Sequence, residues 1–147
     1  MSPVIADHGR ILTDSEILHE FENRSFPLAQ WNHAAHLRVA GSYLLGHPVD
    51  EALRRMREGV RRYNEASGGK NTEDSGYHET LTCFWMAVAA AFLGRLPSSM
   101  AADGKIQALV DEFGSRQDLF REYYSFDVVK SREARAGWVE PDLKALP

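Results

Sequence analysis

The stretch Pro48-Val49-Asp50-Glu51-Ala52-Leu53-Arg54-Arg55-Met56-Arg57-Glu58-Gly59-Val60-Arg61-Arg62-Tyr63 decides the fold class. Val49, Ala52, Leu53, Met56, Val60 and Tyr63 recur at three- and four-residue spacing, which brings one stripe of an α-helix to a core, and Pro48 suits the first turn of that helix. The helix is expected to stop at Ser67-Gly68-Gly69. Beyond it, Lys70 to Gly76 is polar and reads as a loop of the kind that borders binding sites.

Helical signals continue on both sides. Upstream, Thr13-Asp14-Ser15-Glu16 has the form of a capping box and opens a helix expected near 14–24, before Phe26-Pro27 breaks the pattern. Asn32 then offers an N-cap for a helix ending near Gly46. Downstream, Tyr77 to Gly94 is apolar nearly all round, as expected of a central helix with neighbours on several sides. Shorter helices are expected near 104–113 and 116–124, followed by an irregular C-terminal tail near 125–147. No alternating run is long enough for a sheet. The expectation is an all-α fold, a single helical domain over 1–147 built as a bundle of about five to six helices.

The chain has 147 residues, 44% hydrophobic and 26% charged, the balance of one folded domain. A net charge of -4 provides no general attraction for nucleic acid, and the apolar run Cys83 to Leu93 falls well short of the ~20 residues that span a bilayer. With no basic-then-apolar leader over Met1 to Asp7, a cytoplasmic location is expected. Cys83 is the single cysteine, so any metal site must rest on histidine and carboxylate. Cys83 itself reads as a small core residue.

On the helix after Asn32, about 100° of turn per residue puts His33 in line with Leu37, Ala40 and Leu44, with His36 and Tyr43 to one side and Arg38 and Ser42 on the opposite, solvent side. The same construction aligns His78 with Trp85, Ala89 and Phe92 on the central helix. If the two helices begin at the same end of the bundle, His33, His36 and His78 meet there. Three imidazoles can hold a divalent metal with a position left open, and zinc, iron, nickel or manganese all suit that donor set. Glu79 is the candidate fourth ligand or general base on a metal-bound water. Asn32, Tyr43, Tyr77, Thr82 and Trp85 are expected to support or line the pocket, and Arg135 in the tail is a candidate anion contact.

On this reading the chain is a metal-dependent enzyme, a hydrolase or an oxygenase, acting on a small molecule. One alternative is a metal or small-ligand sensor whose pocket is lined by Trp85, Phe92, Tyr43 and Tyr77, without turnover. Another leaves the histidines as core residues, each satisfied by a hydrogen bond, and uses Arg54, Arg55, Arg57, Arg61 and Arg62 to bind an acidic partner. Pairing of those arginines with Glu58 on a solvated face is the simpler account of them. A homo-oligomer stays open.

Three segments carry a resemblance: Trp31-Asn32-His33-Ala34-Ala35-His36-Leu37, Gly76-Tyr77-His78-Glu79-Thr80-Leu81-Thr82, and Ala134-Arg135-Ala136-Gly137-Trp138-Val139-Glu140-Pro141-Asp142-Leu143. Together they resemble an uncharacterised family of small all-helical bacterial proteins, which implies a cytoplasmic helical protein and no particular reaction. The histidine set is also similar, more weakly, to DinB-type bundles, whose single metal is held by three histidines with the close pair late in the chain at i, i+4; here the pair is early at i, i+3. His36-Leu37-Arg38-Val39-Ala40 is similar to the opening of an HD-type phosphohydrolase helix, without its His-Asp pair.

Overall fold

The computed structural model describes residues 11–147; the readings made for Met1 to Asp7 lie outside them. The chain forms α1 (Asp14–Glu22), α2 (His33–Gly46), α3 (Val49–Ala66), α4 (Glu79–Gly94), α5 (Ala102–Phe113) and α6 (Arg132–Ala136). Two 3-10 turns, Leu28–Gln30 and Leu119–Glu122, lie between them. The fold is all-α. The second of those turns and its flanks replace the helix expected near 116–124, and one turn of helix interrupts the tail.

Local chemistry accounts for the helix starts. The Thr13 hydroxyl accepts from the Glu16 amide while the Glu16 carboxylate accepts from the Thr13 amide, a complete capping box. Asn32 Oδ1 accepts from the Ala35 amide and starts α2. The start of α4 differs from expectation. His78 is not inside the helix but caps it, in extended backbone, with Nδ1 accepting from the Leu81 amide at 3.1 Å. Gly76, at φ 81°, turns the chain into that cap in a left-handed geometry where an added Cβ would lie 2.5 Å from the Lys70 carbonyl.

Helix α2 occupies the middle of the bundle, packed on α1, α3, α4 and α5, while α4 packs on α2, α3, α5 and α6. Both helices therefore fill the central role expected of α4 alone. Val39, Ala40 and Tyr43 of α2 join a core with Ile17, Phe21 and Tyr63. Leu37 joins a second core with Phe84, Val88 and Leu109. The side of α2 assigned to solvent is closed as well. Arg38 is only 9% exposed, and its guanidinium donates to Asp14 and Gln107, tying α2 to α1 and α5. Burial raises the Asp14 carboxyl from its ordinary value more than Arg38 lowers it.

The tail is irregular but closely tied. The buried Thr80 hydroxyl donates to the Gly137 carbonyl at 2.7 Å and accepts from the Val139 amide at 3.0 Å. The Tyr124 hydroxyl donates to the Val139 carbonyl, and the Leu143 amide donates to the Tyr123 carbonyl. Trp138 is 40% exposed, and Val139 makes the core contact beside it.

A mid-helix glycine lets α1 approach α3. A Cβ at Gly59 would lie 2.6 Å from the Phe21 ring, and Phe21 stacks on Trp31 at 4.8 Å. Replacing Gly59 with Ala should gain about 1 kcal/mol of helix propensity and, with the added Cβ so close to the Phe21 ring, lose about 2–3 kcal/mol at the upper end of the overpacking range, for a net destabilisation of about 1–2 kcal/mol. Urea denaturation of the Gly59→Ala variant checks this; an unchanged or raised midpoint would mean that Phe21 moves aside freely.

Candidate functional site

Helices α2 and α4 contact each other, and residues near the beginnings of both line one cavity of about 690 Å³. From α2 and its cap come Asn32, His33, His36, Leu37 and Ala40; from α4 and its cap come His78, Leu81, Thr82, Trp85 and Met86. The far end of α3 adds Met56, Val60 and Asn64, and the loop after it adds Lys70, Ser75 and Tyr77. The expected meeting of the three histidines at one end of the bundle is thus found as a shared cavity wall. Within that wall their ring nitrogens have three different assignments.

His78 has both nitrogens in use. Nδ1 accepts from the Leu81 amide, and Nε2 donates to the Val128 carbonyl at 2.8 Å. A metal could reach this ring only by displacing the helix cap or the bond to the tail. His33 donates Nε2–H to the Phe113 carbonyl at 3.1 Å, and His36 donates Nδ1–H to the Asn32 carbonyl at 2.8 Å. A carbonyl oxygen only accepts, so these bonds fix the proton on those nitrogens and leave a lone pair on His33 Nδ1 and on His36 Nε2. No buried side-chain nitrogen or oxygen among the described residues lacks a partner, so both lone pairs open onto accessible space. Among the described residues no three histidine, cysteine, aspartate or glutamate side chains are grouped to hold an ion.

Glu79 is also committed elsewhere, which corrects the expectation of a free base or fourth ligand. Arg57 Nε and Nη2 donate to its two oxygens at 2.9 and 2.7 Å, the Tyr77 hydroxyl donates at 2.5 Å, and the Cys83 thiol at 3.4 Å. The Arg57 bonds are the main cause that holds the carboxyl down at about 2 despite its burial. Such a carboxylate is a poor proton acceptor near neutrality. Burial and the same carboxylate push the Cys83 thiol up to about 11, so it stays protonated near neutrality, and it is half-buried rather than the core residue expected.

Other expected residues divide. Asn32, Tyr77, Thr82 and Trp85 line the cavity, as expected. Tyr43 does not: its hydroxyl donates to Glu22 at 2.8 Å, on the side of α2 that faces α1 and α3. Phe92 packs instead on Phe113. Arg135 is no anion clamp, because its guanidinium donates to the carbonyls of Gly76, Tyr77 and Val129, binding the tail to the loop. The arginines of α3 pair locally in part, with Arg54 on Glu51 and Glu58 and Arg55 on Glu51, while Arg57 turns inward and Arg61 covers the Tyr77 ring.

The roles of two residues escaped the sequence reading. Trp31 lines the cavity and lies 3.9 Å from the His36 ring, with Phe21 stacked behind it. Arg57 sits four residues after Leu53 and three before Val60, both on the apolar stripe, a spacing that marks it as the arginine nearest the core.

Burial lowers the pKa of all three imidazoles, that of His36 to about 4 from its ordinary 6.5. The carbonyl bonds to His33 and His36 oppose that shift without cancelling it. Between pH 6.5 and 4 the unfolded chain binds protons at His36 that the folded chain does not, so stability should fall as pH drops through this window, by about 2–3 kcal/mol from His36 alone. Glu79 contributes the same sign lower down, lost as pH falls from 4.5 toward 2. Urea midpoints measured from pH 7 to 3 should show the first loss starting below 6.5 and reduced in His36→Gln, and a flat profile above pH 4.5 would contradict it.

Comparison with protein-family models, with curated proteins and with solved structures finds no match for this chain.

Proposed function

We propose that this chain is a small-molecule-binding protein whose ligand occupies the cavity between the beginnings of α2 and α4. The observation that carries this reading is the cavity itself, about 690 Å³, walled by aromatic and aliphatic side chains and carrying two imidazole lone pairs that no group among the described residues uses. Ligand pockets span roughly 300–1,000 Å³ and combine an apolar wall with a few polar groups that fix orientation. Binding is favoured over catalysis because no carboxylate among the described residues lines the space and Glu79 is held by Arg57. Among the described residues, Lys70 is the one lining side chain with a full charge.

A metal-dependent reading keeps one specific support, the two unspent lone pairs of His33 and His36 three residues apart on one helix. With His78 committed to its cap, that pair is one donor short of the three protein ligands of catalytic zinc sites. The organic ligand is therefore the first choice.

The test is a thermal-shift screen of small aromatic molecules against the tag-free chain and against Leu81→Trp, which puts bulk into the cavity wall. Hits that stabilise the natural chain and not the filled variant are expected. Hits that stabilise both alike would place binding elsewhere. Plasma mass spectrometry of the same protein decides the second reading: one equivalent of zinc, iron, nickel or manganese, lost in His36→Ala, would replace the organic ligand with a metal.

A further inference from the structure

At its two imidazoles the polar chemistry of the cavity is one-sided, whereas Lys70, Asn64 and Thr82 elsewhere in the lining carry donors. Each of the two imidazoles with a free lone pair has its N–H engaged by a carbonyl oxygen, so each presents an acceptor and no donor. Burial keeps both neutral near pH 7, which maintains that polarity. Each imidazole sits against an indole, His36 at 3.9 Å from Trp31 and His33 at 4.5 Å from Trp85. Flat faces and ring edges therefore adjoin both acceptors. Among the described residues no acidic side chain lines the cavity to select a cation.

Such a wall complements a donor. A carboxylate carries acceptors alone, and against two imidazole lone pairs it would lose its hydration without gaining a hydrogen bond there, which leaves Lys70 as its charged partner in the lining. A pure hydrocarbon would fill the space but leave both nitrogens dry. Resting on the reading of the cavity as a ligand site, we propose that its ligand is a flat, largely apolar aromatic molecule bearing a hydroxyl or ring N–H, which donates its one proton to His36 Nε2. Trp31 and Trp85 supply aromatic wall beside the acceptors, and the donor on the ring sets its orientation.

Three naphthalene probes of nearly one size separate the alternatives: 2-naphthol, which donates, 2-methoxynaphthalene, which does not, and 2-naphthoate, which is an anion. Affinity for the full-length chain is read by titration calorimetry at pH 7. The expected order is 2-naphthol at least ~tenfold tighter than the other two. His36→Leu should reduce that advantage while leaving 2-methoxynaphthalene binding within about twofold, and the probe series stands without it if that variant does not fold. Equal binding of 2-naphthol and 2-methoxynaphthalene, or preference for 2-naphthoate, overturns the donor rule and leaves the cavity reading intact. No binding by any probe overturns the cavity reading itself.

Discussion

An imidazole holds one proton and one lone pair when neutral, and the way His78 uses both sets the geometry around it. Its lone pair takes the amide of Leu81 and begins α4; its N–H takes the carbonyl of Val128 and holds the chain that leads into α6. Once α4 begins at Glu79, the carboxylate falls beside Arg57, and Tyr77 falls where its hydroxyl can join them. Thr80, one residue further, grips the tail at Gly137 and Val139. Four consecutive residues thus link α3, α4 and the C-terminal segment.

That commitment separates structural from available groups in a site where the residue types alone look equivalent. Three histidines and a glutamate at one end of a bundle read as a metal centre. Hydrogen-bond accounting removes His78 and Glu79 from the available set, since each already satisfies its partners, and leaves His33 and His36 with one unspent acceptor apiece. What distinguishes the cavity is then its volume, its aromatic wall and two neutral acceptors.

Much of the fold was legible because it rests on local rules. The Thr13 box, the Asn32 cap, Pro48 before α3 and the Ser67-Gly68-Gly69 stop each act within a few residues of where they sit. Meeting of the histidines at one cavity was legible from helical phase and from α3 returning the chain. What was not legible depends on partners far along the chain. His78 was phased as a helical residue, yet its extended backbone belongs to a cap whose other partner is 50 residues away. Arg38 read as solvent-facing, yet it reaches Asp14 and Gln107, 24 and 69 residues distant. Tyr43 read as pocket-facing until Glu22 took its hydroxyl. In each case a polar group satisfied at long range overrode the position that its helix phase suggested.

The most direct test of this account is a long-range proton–nitrogen correlation spectrum of the imidazole side chains at pH 7, assigned by single histidine substitutions. The account predicts neutral rings at all three positions, with the proton on Nε2 in His33 and His78 and on Nδ1 in His36. A charged His36, or one with its proton on Nε2, would contradict it, because the acceptor on which the cavity's chemistry rests would then be absent.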